Sequence, residues 1–410
     1  MAKRSEPAIR IREFTGLNNK AEPRAMQLGE LVRADNIDID DRMKIRRRRG
    51  FAQDYAASAI TAAWSANDES RMFVIDSGEL QEYTTSGSVK ALKLGLPSSE
   101  AYFEDAGDRY YLSVGGTLGL ITDTYTDLII PAPETPLVRA GSGNLPAGRY
   151  LVSAVLVTPD GRQGGACAVQ QSNPSDNGAL EIEVDQVSGY ETRIYVSGTN
   201  GDQLQFVQQL DGGMVVVSDL YQLQGDILDT IQMIAGAPPI PSGPIAYHDG
   251  CLHVAATDLP SGLSYIYRSE PFWPHLFVPW QNAETIQGVI RMMASTPEGL
   301  LVGTDRSVFL FPSSGGLATL ASYGVVAGQN SYIEPDTGKV YFWTEEGLCR
   351  AVPFENLTQE RLSAAPGQRC YVGKVKEGGF ERIVVGVHLD GATTEENDAN
   401  NPRERNRYSQ

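Results

Sequence analysis

The sequence predicts an all-β fold: a β-propeller with an inserted fibronectin type III- or immunoglobulin-like β-sandwich. Three observations predict it. Apolar runs of about five residues alternate with turns that pair an acidic residue with glycine. The order strand, turn, apolar strand, turn, amphipathic strand returns roughly every 40–50 residues, the rhythm of propeller blades. Two proline-rich junctions, Pro131–Pro136 and Pro238–Pro244, bracket a stretch with a different rhythm. Proline cannot donate to a strand ladder and stiffens a linker, so such brackets suit an inserted domain.

Residues 1–35 read as an extended amino-terminal arm, with Pro23 and no strong period. Asn36 to Asp40 alternates polar and apolar residues, Asp40 to Arg42 is turn-like, and Met43 to Arg46 alternates again, so a hairpin is expected. Arg46, Arg47, Arg48 and Arg49 follow one another. In a strand two of them point each way, and one pair must meet solvent or a partner. A solvated edge strand, a partner contact and a phosphate site all satisfy that. Pairing of the strand Met43–Phe51 with, or beside, the late strand Arg382–Val387 would remove both loose ends of a blade ring.

Residues 36–132 form the first part of the propeller. Its strands include Ile60–Trp64, Met72–Ile75 before the Asp76–Gly78 turn, and Tyr110–Val114 before Gly115 and Gly116. Residues 241–390 form the second part, with Cys251–Ala255 after the Asp249–Gly250 turn, Leu300–Val302 after Gly299, and Val340–Trp343 after Gly338. The inserted sandwich covers 133–240. Tyr150, Val152, Val155, Ile194, Tyr195 and Phe206 are its expected core, and Gly141–Gly148 reads as a loop. Two further irregular blades are the competing reading of this segment. Loop closure depends only weakly on length, so a Gly-Ser linker in place of 137–235 is expected to leave the propeller folded. The aromatic run Phe272–Trp280 reads as packing within a blade rather than a sugar platform. Residues 391–410 are a polar carboxy-terminal arm without a core.

Composition narrows the function. The chain of 410 residues has a formal charge of −17, which argues against bulk nucleic-acid binding and leaves room only for a local basic strip. No secretory signal, lipidation motif or membrane-length apolar run is read in it. Cys167, Cys251, Cys349 and Cys370 are widely spaced, as buried reduced thiols of a chain made in a reducing cytoplasm would be. Phosphate-loop, zinc-protease, nucleophile-elbow and dinucleotide motifs are not found. Asn36, Asp38 and Asp40 have calcium-like spacing, but Asp41 and Arg47 stand where the loop's glycine and glutamate belong, so they read as hairpin acids. His248 and His253 flank a glycine turn and read as a structural pair. No enzyme activity, metal or cofactor is therefore expected.

One resemblance is specific. Phe14-Thr15-Gly16-Leu17-Asn18, then Leu31-Val32-Arg33-Ala34-Asp35-Asn36-Ile37-Asp38, then a basic strand ending Arg49-Gly50-Phe51, resemble the opening of bacteriophage tail nozzle, hub and tail-tip proteins. The likeness covers about the first 50 residues. It implies a virion structural protein of a tail or baseplate, made in the host bacterial cytoplasm. Its copies would form a homo-oligomeric, commonly sixfold, ring that meets adaptor or portal-side proteins and fibre or spike proteins, with viral DNA passing in transit. Arg46–Arg49 and the carboxy-terminal Arg403, Arg405 and Arg407 are then the expected subunit or partner contacts. A carbohydrate- or receptor-binding propeller with the sandwich as accessory module is the alternative.

Overall fold

The computed structural model describes residues 13–40, 42–48, 55, 58–68, 70–84, 87–240, 243–258, 260–377 and 380–389. The fold is all-β as expected: sheets that are antiparallel apart from two short parallel pairings, with one short helix, Thr230–Ile234, and one 3-10 turn, Leu220–Gln222, among the described residues. Two compact units divide the chain, unit 1 from residues 1–91 and 290–410 and unit 2 from residues 92–289. The division therefore falls inside the strand Val89–Lys93 and after Val289, away from the proline-rich junctions.

In unit 2, Ala101–Asp105, Tyr110–Val114, Thr117–Ile121 and Tyr125–Asp127 form a four-stranded meander in chain order. A second meander runs through Ile245–His248, Cys251–Asp258, Leu263–Glu270 and Trp273–Phe277. Their tightest turns follow from local chemistry. Val114 pairs with Thr117 around Gly115 (φ +51°) and Gly116 (φ +88°), and His248 pairs with Cys251 around Asp249 (φ +49°) and Gly250 (φ +77°). Two central residues at positive φ make the turn whose twist matches a hairpin. Tyr111, Leu118 and Leu128 share one core with Ile245, Leu252, Val254 and Phe277, so the two meanders pack face to face although more than a hundred residues separate them in sequence.

Between them the chain builds two further sheets. Leu137–Leu145, Gly178–Val184 and Gly213–Val217 form one; Gln163–Ala166, Tyr150–Val157, Glu191–Ser197 and Leu204–Leu210 form the other, with Gln170–Ser172 also on Tyr150–Val157. Tyr150, Val152, Ile194 and Val196 meet Leu180, Ile182, Val215 and Val217 in a core shared by both sheets. Val155, Tyr195 and Phe206, expected in that same core, lie on the opposite face with Leu204 and Leu228. The second sheet is buried on both faces, and adjacent residues of a strand point to opposite ones. The Gly141–Gly148 loop is also corrected: Gly141 and Gly143 lie within a strand. A Cβ on Gly143 would stand 2.8 Å from the Gly178 carbonyl oxygen, so glycine here permits a close strand approach.

The Tyr150 hydroxyl lies 3.0 Å from the Pro146 carbonyl, to which it donates, and 2.7 Å from Thr199 Oγ1. Tyr150→Phe keeps the packing and removes both contacts. It should cost about 1–2 kcal/mol, read as a lower thermal midpoint with unchanged circular dichroism. An unchanged midpoint would show that these bonds contribute nothing in solution.

Unit 1 repeats the meander plan at Ile60–Lys93, Ile290–Ala321 and Ser331–Asn356. Met292, Ala294, Leu301 and Val308 pack against Val340, Phe342, Cys349 and Ala351. Trp343 and Val326 pack in turn against Cys370 and Val372 of a three-stranded sheet, in which Ala327–Gln329 runs parallel to Arg369–Glu377 and Phe380–His388 closes a hairpin. Ile37–Ile39 and Ile45–Arg47 form a sheet of their own. Strand pairing of the basic hairpin with Arg382–Val387 is therefore not what joins early to late chain. Asn19 does so instead: its amide nitrogen donates to the Arg361 carbonyl at 3.0 Å, and its side chain bonds Ser363 in both directions.

Candidate functional site

The amino-terminal hairpin is assembled by the residues before it. Gly16 and Leu17 pair in parallel with Glu30 and Leu31. The Asn18 side chain is buried and accepts the Ala21 amide at 3.1 Å, and the Phe14 amide donates to the Met43 carbonyl at 2.8 Å. Asp40 Oδ1 accepts the Lys44 amide at 2.8 Å and the Arg42 amide at 3.0 Å. The Lys44 amide is the main reason its carboxyl stays below the usual range. Asp38 holds Arg48 Nε at 3.0 Å. Asn36, Asp38 and Asp40 thus act as hairpin residues.

Register sorts the arginines. Ile37 stands opposite Arg47 and Ile39 opposite Ile45 on one face, while Asp38 stands opposite Arg46 on the other. Arg46, Arg47 and Arg48 are all exposed, as are the apolar Met43 and Ile45. The expected contact residues Arg49, Arg403, Arg405 and Arg407 lie outside the described residues. Two-stranded hairpins are marginal alone.

Unit 2 carries the opposite charge. It contains 22 Asp and Glu against seven Lys and Arg, a net of −15 out of the chain's −17. Three of its loops, around Pro159–Gly161, Gly189–Glu191 and Asp211, border a cleft of about 500 Å³. In it Arg193 Nε donates to Gln209 Oε1 at 2.6 Å, and Gln209 in turn donates to Glu191.

Composition alone leaves one buried acid unnoticed. Glu104 lies between the two unit 2 meanders, where its Oε1 accepts the Tyr247 amide at 2.8 Å. Burial pushes its carboxyl up to about 8, opposed by that amide and helped by Asp105. Tyr111, opposite Glu104 in the sheet, stacks on Tyr247 with centroids 5.8 Å apart. Arg109, Tyr111, Tyr247 and Phe272 line a cleft of about 250 Å³ nearby. No signal in the sequence separates Glu104 from the neighbouring Asp105, which the same strand leaves half-buried.

The four cysteines are buried free thiols. Among the described residues no group of three or more His, Cys, Asp or Glu is placed to hold a metal. His248 and His253 have ring centroids 6.1 Å apart, and burial, then His248, lowers His253 to about 4. The aromatic run divides: Leu276, Phe277 and Val278 are buried, whereas Phe272 is 81% and Trp280 70% exposed. No helix among the described residues is long and apolar enough to cross a membrane.

No family model and no curated protein matches the chain. Solved structures similar to it include a streptogramin B lyase, at 11% identity over 77% of this chain and 87% of that one, TM-score 0.31. Selenomethionine-substituted virginiamycin B lyase from Staphylococcus aureus is similar at 11% identity over 81% and 92%, TM-score 0.34. BBS1N in complex with ARL6DN is similar at 13% identity over 82% and 92%, TM-score 0.33. The expectation of a protein without enzyme activity is corrected by these matches. Two of these structures are lyases. At such TM-scores the likeness assigns this chain no activity either.

Proposed function

We propose that this chain is a structural protein of a bacteriophage tail, a subunit of a nozzle, hub or tail-tip ring that conducts DNA during ejection. In this reading the four-stranded meanders are the blades of a β-propeller, and residues 133–240 are a β-sandwich inserted between two of them. The observation that carries it is the amino-terminal segment. Among the residues of the resemblance, Phe14 bonds Met43, and Asn36 and Asp38 bond Arg48, within an exposed basic hairpin, while Gly16, Leu17, Asn18 and Leu31 bond one another in the segment just before it. The acidic unit 2 suits a passage that repels DNA phosphates and keeps transit fast. The polar loop cleft of unit 2 favours the second reading, a receptor- or carbohydrate-binding module.

Gene neighbourhood separates the two at once, tail and portal genes favouring the first and polysaccharide loci the second. In particles, Arg46 and Arg48 together, then Arg47 and Arg49 together, are changed to Ser. One pair is expected to block incorporation while the isolated subunit stays folded, as seen by electron microscopy of tails. Normal assembly of both variants would overturn the role of this hairpin.

A further inference from the structure

The outer face of the three-stranded sheet in unit 2 has an unusual composition. Across it, Leu137, Glu183 and Met214 stand in one cross-strand row, and Arg139, Glu181 and Val216 in the next. Their inward neighbours Ile182, Val215 and Val217 fill the shared core, so these six point away from it. Met214 is 57% and Leu137 51% exposed. Glu183 is paired with Arg139 at 3.2 Å. Glu181 has no ion-pair partner among the described residues, and neither has Arg47 of the hairpin. The hairpin's own apolar face has the complementary pattern, Ile37 beside Arg47 and Ile39 beside Ile45. One surface is apolar with a spare carboxylate on a unit of charge −15; the other is apolar with a spare guanidinium.

We propose that copies of this chain join head to tail, the hairpin face of one docking on the outer face of the Leu137–Leu145, Gly178–Val184 and Gly213–Val217 sheet of the next, with Arg47 against Glu181. The inference deepens the assembly reading and rests on it for the expectation that copies associate. Sheet faces pack about 10 Å apart with interdigitating side chains, and a guanidinium matches a carboxylate in paired hydrogen bonds. The contact is heterologous, because the hairpin and the sheet face are different surfaces. Repeated contacts of that kind close into a ring when the rotation allows. A six-residue hairpin buries little area, so a single contact is weak and salt-sensitive.

Sedimentation velocity of purified full chain over a concentration series, in about 50 mM and about 500 mM salt, tests this without particles. Wild type should self-associate in low salt and dissociate in high salt. Arg47→Glu and Glu181→Arg should each weaken association roughly tenfold or more. In an equimolar mixture every contact between unlike variants sets opposite charges together, as in wild type or exchanged, while contacts between like variants set like charges together, so association should return with the two variants alternating. The double variant on one chain exchanges the charges and should restore association, which separates a lost contact from a misfolded chain. A wild type that stays monomeric throughout, variants that associate as wild type does, or a mixture that does not pair would each overturn the proposal. Failure here would leave tail incorporation to be judged by the particle experiment, so the two readings fall separately.

Discussion

Glu104→Gln should raise the thermal midpoint of unit 2 at pH 9 and leave it unchanged at pH 5. Glu104 is buried between two meanders, and its carboxyl titrates near 8 against an ordinary value of 4.5. A carboxyl raised in this way contributes fully below its unfolded value, and that contribution is lost as the pH climbs through the folded one. Across the window from 4.5 to 8 the folded state must either hold a proton that solvent would remove or bury a charge. The cost above the window is on the order of 5 kcal/mol. Glutamine has the same shape, cannot ionise, and keeps an oxygen for the Tyr247 amide. Wild type should therefore lose stability steadily between pH 5 and 9 while the variant does so far less. Parallel pH profiles for the two proteins would show that Glu104 is solvated in solution.

Replacing residues 137–235 with a Gly-Ser linker should unfold the rest of unit 2, contrary to the expectation from loop entropy. Closure is the small term here; packing is the large one. Ala235 and the helix residue Ile231 cover Leu276 and Val278, both fully buried. Gly164 sits so close to Ile130 that a Cβ on it would stand 2.6 Å from the Ile130 Cγ2. Gln163 ties the parts together: its side-chain oxygen accepts from Tyr195 and Gln232, and its carbonyl accepts from His275 Nε2 at 3.0 Å. Uncovering three large apolar side chains costs about 5 kcal/mol or more, comparable to the whole stability of a domain. A second deletion that ends at Leu228 and keeps residues 229–236 retains the Ile231 and Ala235 cover and should lose less, the Gly164 and Gln163 contacts being gone in both. Limited proteolysis and thermal melts distinguish the outcomes, and a cooperative melt at the wild-type midpoint for the longer deletion would sink the argument.

What could be read from the sequence was local. The Ser77–Gly78, Gly115–Gly116 and Asp249–Gly250 turns announce themselves because two positive φ angles in succession need glycine, aspartate or a small polar residue. The hairpin around Asp40 is legible from the alternation of its strands, which also separates Arg47 from Arg46. What escaped depends on contacts distant in sequence. Val155 and Val152 look alike in a strand buried on both faces, and only the second sheet decides which core each enters. The strand Arg369–Glu377 carries Lys374 and Lys376 among its apolar residues, and its place comes from parallel pairing with Ala327–Gln329. Glu104 resembles any surface acid until the Tyr247 strand covers it.

The order of synthesis gives the division of the chain a kinetic meaning. Unit 2 is one continuous stretch, complete once residue 289 has emerged. Unit 1 is split, and its first 91 residues wait for 290–410. At a ribosomal rate of about 5–20 residues per second that interval is roughly 15–65 seconds. Through it the apolar strands Ile60–Ser65 and Met72–Asp76 have only their own meander for cover. The amino-terminal meander is thus the segment with the longest exposure to chaperones and to aggregation, and a ribosome stalled once residue 289 has cleared its exit should display a protease-resistant unit 2 beside a protease-sensitive amino terminus.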